Sequence, residues 1–362
     1  MSAWTIQERP LREQSDGLLR ELYVVRGELH QEEAPGDPRP PLADEIARVR
    51  HLPALQDGVM LVARGTDGSI AGLAECGWEQ LTGWQHVLWV DLAVLPGARR
   101  RGLGRVLLEH ATDVAQRRGL RLITGRTRDN VLPGAAFCRR FGAEQAIVNR
   151  ENRLDLGSVD RELIDRWMAD GPVRAPGYRL QFVAGRTPAG LADQVAQVLN
   201  VMNTAPRDDL DISDTLVTPE LLAEYEEAHA AAGGDQWAYY AVEESSGRFV
   251  GLTGIYVERW AGDRVWVADT GVDPAHRGRG LGKWLKAAIT RRILDELPGV
   301  RWVITWNARS NDAMLAINEQ LGFRTSSINT TWQAATGDLQ AVLAVRPGGS
   351  SAAHRPGTPT CD

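Results

Sequence analysis

The sequence predicts an α/β protein, of the α+β kind with a mixed sheet, in which two tandem copies of one domain are joined by a short linker helix. The chain has 362 residues, the length of two ordinary domains rather than one. Two distant stretches nearly repeat each other: VDLAVLPGARRRGLGRVLLEHA begins at Val90, and ADTGVDPAHRGRGLGKWLKAA begins at Ala268. Strand-like and helix-like segments follow in the same order around both, so a whole domain is duplicated.

In the second copy, the period of the apolar residues and the positions of the turn residues predict the elements in order. Strands are expected at 178–183, 237–243, 248–257, 265–272 and 302–306, helices at 190–202, 219–231 and 311–321, and two closing strands after them. A long helix begins near Leu281 and has Leu285, Ala288 and Ile289 on one face. The first copy repeats this order over 4–156.

The domain boundaries follow from changes in composition. The first domain is predicted at 1–157 and the second at 178–346, with the linker helix and its loop at 158–177, where Gly-Pro and Pro-Gly pairs break the chain. The segment 347–362 is rich in Pro, Gly and Ser and lacks apolar periodicity. We expect this tail to be disordered and dispensable.

Composition and charge exclude several classes of protein. Lys and Arg number 41 against 47 Asp and Glu, so no overall basic field would attract nucleic acid or an anionic membrane. Three cysteines, far apart and odd in number, indicate neither a disulfide framework nor a zinc cluster. The N-terminus carries charges where a secretory signal needs an apolar run, and no segment has the roughly 20 apolar residues of a membrane span. We expect a cytoplasmic protein.

Both near-repeats contain the pattern Arg-x-x-Gly-x-Gly between a strand and a long helix. The pattern occurs as Arg99, Gly102 and Gly104, and again as Arg277, Gly280 and Gly282. Glycines let the backbone turn tightly, and the first N–H groups of the helix point without partners toward the loop at the positive end of the helix dipole. The loop therefore predicts an anion site, although a turn that merely joins strand to helix is the alternative. A Walker A loop and the dinucleotide pattern G-x-G-x-x-G are both absent.

VDPAHRGRGLG and the later TWNARSNDAMLAINEQLGF resemble the GNAT N-acetyltransferase superfamily, and the resemblance extends to both copies. It implies that the loop binds the pyrophosphate and pantetheine arm of acetyl-CoA, or of another acyl-CoA, as cosubstrate. The residues it implies for this role are Val272, Arg277, Gly278, Arg279, Gly280, Leu281, Gly282, Lys283, Asn307 and Asn311 in the second copy, and Val94, Arg99, Arg100, Arg101, Gly102, Leu103, Gly104 and Arg105 in the first.

The resemblance also implies a splayed sheet and a direct attack of an amine on the thioester, without metal or covalent intermediate. Such a reaction needs a base for the acceptor ammonium. Asp269, in the strand predicted at 265–272, and Asp91, at the equivalent place in the first copy, are the candidates, and Glu75 and Glu258 are the second choice. A structural role, in which the Asp hydrogen-bonds neighbouring backbone, is equally open.

The two copies differ at the positions where the family often has its acid and its cofactor contacts. Family members often place a Tyr four residues before the late Gly-Phe, but Asn318 and Cys138 stand there. Asn318 thus takes the place of the catalytic acid without being able to donate a proton to a thiolate. Asn311 has Val131 as its counterpart. We therefore expect the second domain to be catalytic and the first to be degenerate or supporting.

These observations predict an N-acetyltransferase that acts on a small-molecule primary amine, as a monomer or homodimer. Acidic residues between Asp208 and Glu227 favour a cationic amine, unless they form only a solvated helix face. Two other functions remain open: a non-catalytic acyl-CoA-binding sensor or scaffold, and a protein or peptide N-acetyltransferase. The acceptor and the length of the acyl chain are left undetermined.

Overall fold

The computed structural model describes residues 4–345 and contains the same elements in the same order in both halves. The first half comprises β1 (Thr5–Pro10), α1 (Asp16–Glu33), α2 (Leu42–Arg50), β2 (Gln56–Arg64), β3 (Ile70–Glu79), β4 (Val87–Val94), α3 (Leu103–Arg118), β5 (Leu122–Arg128), α4 (Leu132–Arg140) and β6 (Glu144–Asp155), and is followed by α5 (Arg161–Arg174). The second half comprises β7 (Tyr178–Ala184), α6 (Ala192–Leu199), α7 (Pro219–Ala231), β8 (Gly234–Glu243), β9 (Phe249–Glu258), β10 (Arg264–Val272), α8 (Leu281–Glu296), β11 (Trp302–Ala308), α9 (Asp312–Leu321), β12 (Arg324–Ala335) and α10 (Thr336–Ala344).

All these strands form one 12-stranded sheet, with the order β1-β2-β3-β4-β5-β12-β6-β11-β10-β9-β8-β7. Neighbouring strands are antiparallel except for β4 with β5 and β10 with β11, which are parallel. The predicted mixed sheet and mixed α/β class are therefore confirmed. The sheet is continuous across both halves, which the sequence did not predict.

The two halves exchange their last strands at the centre of the sheet. β12 pairs with β5 and β6 of the first half, so that Thr330 is opposite Thr127 and Val148. On its other side, β6 pairs with β11 of the second half, where Arg153 is opposite Ile304. Each half thus supplies the strand that completes the other half's part of the sheet.

The helices that follow the exchanged strands complete the other half as well. Leu339 and Leu343 of α10 belong to the same hydrophobic cluster as α3 of the first half. Ile164 and Trp167 of α5 pack with the buried residues of α8 in the second half. The hydrophobic core of each half therefore includes a helix that is continuous in sequence with the other half.

Two details of the predicted elements are wrong. The two closing strands of the second copy are one strand, β12, followed by helix α10, because Leu339 and Leu343 are spaced by one helical turn and bury one face against α3. In the predicted linker at 158–177, the Gly171-Pro172 pair does not break the helix: α5 extends through Pro172 to Arg174 and ends before Pro176-Gly177. Gly171 lies against Trp284, with an ideal Cβ only 2.3 Å from its ring, so packing on α8 extends the helix.

The predicted domain boundaries stay predictions, and the tail at 347–362 lies outside the described residues. Within residues 4–345, no helix is long and apolar enough to cross a membrane. The same part of the chain holds no group of three or more His, Cys, Asp or Glu side chains arranged to bind a metal ion.

Candidate acyl-CoA cleft and acceptor cavity

In the second half, β10 and β11 begin as a parallel pair and then separate. Their ladder joins Arg264, Val265 and Trp266 to the start of β11 and goes no further in the described chain. On its other edge, β10 continues along β9 to Val272, with an irregularity in the pairing between Val267 and Thr270. Because such bulges bend a strand and increase its twist, the end of β10 diverges from β11. A gap with an unpaired strand edge results. β4 and β5 separate in the same way after Val90 and Gly125.

The Arg-Gly loop of the second half turns from this unpaired edge of β10 into helix α8. Gly278 and Gly280 have φ values of 79° and 84°, in the left-handed region that favours glycine. Helix α8 begins at Leu281, and the side chain of Leu281 is buried. The groups of α8 that face the loop are therefore its first backbone N–H groups. An ideal Cβ on Gly282 would be 3.2 Å from Ile317, so the start of α8 packs tightly against α9.

The side chain of Arg277 holds the loop to the end of β10. Its Nε donates a hydrogen bond to the carbonyl of Val272 at 2.9 Å, and its Nη2 donates one to Thr204 Oγ1 at 2.6 Å. Both partners are neutral, so the positive charge of Arg277 is not cancelled. Arg279 and Lys283 add two more cations beside the loop, where they approach the rings of Tyr178 and Trp167.

The corresponding loop of the first half has the same shape but a neutralised arginine. Arg99 donates to the carbonyl of Val94 as Arg277 does to Val272, and also makes a bidentate pair with Glu32 at 2.7 and 2.5 Å. The hydrogen bond with Arg99 lowers the pKa of Glu32, so this carboxylate stays ionised. Arg100 has a φ of 63°, a strained conformation at the position of Gly278.

Among the other predicted cofactor residues of the first half, Arg105 is engaged by other groups, whereas Gly102, Leu103 and Gly104 resemble their counterparts Gly280, Leu281 and Gly282. Arg105 pairs with Glu109 and donates to the carbonyl of Leu343 in α10, so it points away from the loop. Leu103 is buried, and an ideal Cβ on Gly104 would be 3.0 Å from Phe137. Gly102, with a φ of 85°, caps α3 as Gly280 caps α8, while the side chain of Arg101 is exposed.

Asn307 and Asn318 come together beside the second loop. Asn318 Nδ2 donates to Asn307 Oδ1 at 2.8 Å, which joins α9 to the end of β11. Asn318 is only 1% exposed, and its Oδ1 is buried without a hydrogen-bond partner in the described chain. Asn311 caps helix α9 by accepting from the backbone N–H of Met314 at 3.3 Å, which is a structural role.

The two candidate bases occupy different surroundings. Asp269 lies on β10 between the two residues that bound its irregularity, and burial raises the pKa of its carboxyl. No hydrogen bond or ion pair of its carboxylate is found in residues 4–345. Asp91 is opposite Glu75 in the β3–β4 ladder. Burial, and then the charge of Glu75, raise the pKa of Asp91, while Arg26 forms an ion pair with Glu75 itself.

A cavity of about 730 Å³ lies between the two halves, and both Asp269 and Glu258 line it. Glu258, at the end of β9, is 3.8 Å from His229 of α7 and accepts a hydrogen bond from Trp260. Burial raises the pKa of Glu258, although His229 acts in the opposite direction. The second-half candidates thus face one cavity, whereas Asp91 and Glu75 do not line it.

Sequence reasoning missed the residues that the first half contributes to this cavity, and also His229 and Tyr256. The first-half residues are Pro40, Asp44, Glu45, Arg48, His51, Leu52, Pro53, Gln56, Glu79, Leu81 and Trp84. No local pattern could have found them, because they meet the second half only in the folded chain. Of the acidic stretch from Asp208 to Glu227, only Glu226 lines the cavity; Asp214 and Glu227 instead pair with arginines.

Comparison with known proteins gives matches along most of the chain. The family model described as "Acetyltransferase (GNAT) family" matches residues 25–143 and 206–323. A mycothiol acetyltransferase from Geodermatophilus obscurus is 28% identical over 313 residues, which is 82% of this chain and 88% of that protein. A streptothricin acetyltransferase from Streptomyces lavendulae is 42% identical over 64 residues, 17% of this chain and 32% of that protein.

Among solved structures, a tandem GNAT protein from the clavulanic acid biosynthesis pathway is similar over nearly the whole chain. It is 25% identical, with a TM-score of 0.73, and the match covers 92% of this chain and 99% of that one. The match spans both halves, so the tandem arrangement is shared with a solved structure. The predicted tandem architecture is therefore confirmed.

Proposed function

Because the chain belongs to the acetyltransferase (GNAT) family, we propose that its second half transfers the acetyl group of acetyl-CoA to a small-molecule primary amine by direct attack within a ternary complex. Family membership makes the chain an acyltransferase. One observation carries the finer proposal: the stretch of β10 that is unpaired on the β11 side carries Ala268 and Asp269, and both line the cavity between the halves. A thioester placed in the gap would meet an acceptor placed in the cavity.

The residues around the gap fit an acyl-CoA. Backbone N–H groups at the start of α8, together with Arg277, Arg279 and Lys283, suit a pyrophosphate, because charge-assisted and helix-terminal hydrogen bonds favour phosphate oxygens. The unpaired edge of β10 suits the amides of an extended pantetheine arm. The buried Oδ1 of Asn318 has no partner in the described chain and could accept a hydrogen bond from such an arm.

In the proposed reaction, the acceptor enters as an ammonium and must lose a proton before it attacks. Asp269 is the proposed base, because its carboxyl has a raised pKa and is not engaged by another side chain. The neutral amine then forms a C–N bond to the acetyl carbon, and the C–S bond breaks. A backbone N–H of β10 that faces the gap would stabilise the oxyanion. The departing thiolate takes its proton from water, since Asn318 is no acid.

We place the reaction in the second half and give the first half a supporting role. In the first half, the Arg99 guanidinium is already paired with Glu32 and is not available to a phosphate. The ionised Glu32 carboxylate would also repel an anion in the loop. In the second half, the matching Arg277 pairs with neutral oxygens only. One acetyl-CoA molecule per chain is the expected stoichiometry.

Replacement of one glycine in each loop tests this assignment. Gly282→Trp should abolish acetyl-CoA binding and acetyl transfer, because the indole would collide with Ile317 of α9 and displace the start of α8, whose N–H groups would hold the pyrophosphate. Gly104→Trp is the matched control, since Gly104 also packs against the following helix, on Phe137. Calorimetric titration with acetyl-CoA and acceptor-dependent release of free CoA are the measurements, with melting temperatures to show that both variants fold.

The same experiment separates the rival functions. Transfer that survives in a folded Gly282→Trp variant but is lost in Gly104→Trp would place the activity in the first half. Binding of acetyl-CoA without release of CoA for any amine would identify an acyl-CoA sensor instead. A mass shift on a peptide rather than on a small amine would identify a peptide acetyltransferase.

A further inference from the structure

The wall of the cavity that faces Asp269 is built partly by the first half. Helix α2 and the ends of β2 and β3 lie against α7, where Gln56 Nε2 donates to Tyr225 Oη at 3.2 Å. The backbone N–H of Ala54 donates to Glu224 of the same helix. These contacts hold α2 against the second half, so that Asp44 lines the cavity together with Glu258 of β9 and Asp269 of β10. An acceptor in the cavity would therefore touch both halves.

The lining of this cavity is strongly acidic. Six carboxylates line it, against one arginine and two histidines. They are Asp44, Glu45, Glu79, Glu226, Glu258 and Asp269, and the basic groups are Arg48, His51 and His229. The carboxylates outnumber all three basic groups together, and a cationic acceptor would compensate this excess of acidic groups.

Four of the six carboxylates already have a side-chain partner. Glu45 pairs with Arg39 at 3.3 Å, Glu79 accepts from Gln56 at 2.8 Å, and Glu226 accepts from Thr187 Oγ1 at 2.6 Å. These groups build the wall. Glu258 accepts a hydrogen bond from Trp260, whereas Asp44 and Asp269 have no side-chain partner in residues 4–345.

Asp44 and Glu258 form a negative pair at one place in the cavity. The Asp44 carboxylate makes no hydrogen bond or ion pair to any residue of the described chain, and it lies against the turn at Gly233, 3.8 Å from an ideal Cβ there. Gly233 is followed by Gly234, which is opposite Glu258 in the ladder of β8 and β9, so Asp44 lies near Glu258. Burial raises the pKa of Glu258, His229 and Trp260 lower it, and the charge of Asp44 has a smaller raising effect. The His229 ring is 3.8 Å from Glu258, whose ladder partner is Gly234.

An aromatic side chain separates this pair from the proposed base. Tyr256 precedes Glu258 by two residues on β9 and so shares its face of the strand, whereas Asp269 lies in the irregularity of β10 beyond the pairs of Trp266 with Tyr256 and Val267 with Ile255. After burial, the charges of Asp269 and then Glu258 raise the pKa of the Tyr256 phenol. Its ring centroid is 4.7 Å from that of His229, and the side chain is 38% exposed. The cavity therefore has one negative site beside the gap and a second one beyond an apolar surface.

We infer that the acceptor is a compound with two positive groups joined by an apolar spacer, and that Asp44 of the first half, with Glu258, binds the group that is not acetylated. This inference rests on the proposed function for the place of the reaction. It makes the acceptor site incomplete without the first half, which gives that half a role in specificity. A second ammonium would compensate the half-buried Asp44, which has no ion pair in the described chain, and would add to the hydrogen bond that Glu258 receives from Trp260.

A comparison of diamines with monoamines tests the inference. Linear α,ω-diamines of increasing length, each beside the monoamine of equal length, are assayed with the full chain and acetyl-CoA by release of free CoA. For the diamine of best length, kcat/KM should exceed that of its monoamine by about tenfold or more. Asp44→Asn should lower kcat/KM about tenfold for this diamine and change it little for the monoamine.

Asp113→Asn is the matched control, because Asp113 is exposed on α3, outside the cavity, and the net charge changes equally. It should alter neither rate. Equal turnover of diamines and monoamines, or an equal effect of Asp44→Asn on both, would overturn the inference and leave the proposed function standing.

Calorimetric titration of the same diamines, without acetyl-CoA, distinguishes a failure of the proposed function from a failure of the inference. Binding that is lost in Asp44→Asn but kept in Asp113→Asn, with no acetyl transfer, would support the inference and refute the proposed reaction. If none of the diamines binds to the wild-type chain, with or without acetyl-CoA, the inference is wrong.

Discussion

At the scale of single residues, the two halves differ in the surroundings of the aspartate that each carries on its equivalent strand, Asp269 in the second half and Asp91 in the first. Asp91 has the same place in the first half, but Glu75 lies opposite it and is paired with Arg26. Asp269 has no such neighbour, and burial alone raises the pKa of its carboxyl. A carboxylate with this pKa direction is a better base near neutral pH than an ordinary one.

Replacement of this carboxylate should remove a pH dependence. In the wild type, kcat/KM should increase as the pH rises through the raised pKa of Asp269, because only the ionised carboxylate accepts the proton. Asp269→Asn should lower kcat by about 100-fold and abolish that rise. Steady-state rates across a pH series measure both effects.

Asp91→Asn is the control for this variant and should leave the rate and its pH profile unchanged. If Asp269→Asn keeps the wild-type rate and profile, Asp269 is not the base, and Glu258 with His229 becomes the candidate to examine.

At the scale of elements, the last helix shows that position in the sequence does not decide which core an element joins. Helix α10 ends the second half in sequence, yet Leu339 and Leu343 pack into the first half's core with α3. Arg105 of α3 also donates to the carbonyl of Leu343, which fixes the end of this helix. The stability of the first half therefore depends on α10.

A truncation on this helix should destabilise the first half. Leu339 is 3% exposed, so Leu339→Ala should lower the free energy of unfolding by about 2–4 kcal/mol through lost burial and the cavity left behind. Val342 on the same helix is 37% exposed, and Val342→Ala should cost less than about 0.5 kcal/mol. Urea unfolding measures both, and equal costs would contradict the packing of α10 on α3.

At the scale of the whole molecule, the exchanged strands make the two halves interdependent. Without β12, the first half would lose the partner of β5, and without β6 the second half would lose the partner of β11. Each half alone would expose long unpaired strand edges and the apolar surface that the exchanged helix covers. Cooperative unfolding of the two halves as one unit is the consequence.

Division of the chain between residues 177 and 178 tests this interdependence. Each fragment alone should be aggregated or unfolded, whereas the two expressed together should co-purify as a folded complex, because β6 and β12 can pair across the break. Circular dichroism and size-exclusion chromatography are the measurements. A fragment 1–177 that is monomeric and unfolds cooperatively by itself would disprove the interdependence.

Much of the fold and part of the site could be predicted from the sequence. The near-repeat predicted the tandem fold. The positions of Gly278 and Gly280 predicted the loop, because left-handed backbone conformations favour glycine. Local pattern failed at α10, where a short apolar run is compatible with a strand or a helix and only packing on α3 decides.

The sequence by itself determined the family, the duplication, the order of most elements and the two Arg-Gly loops, since these depend on residue types and short spacings. Only the tertiary structure decided the strand exchange, the pairing of Arg99 with Glu32, and the cavity that joins Asp44 to Glu258 and Asp269. These features are contacts between residues far apart in the chain. They depend on which surfaces pack together when the core forms, and the periodicity of apolar residues along the chain does not specify this packing.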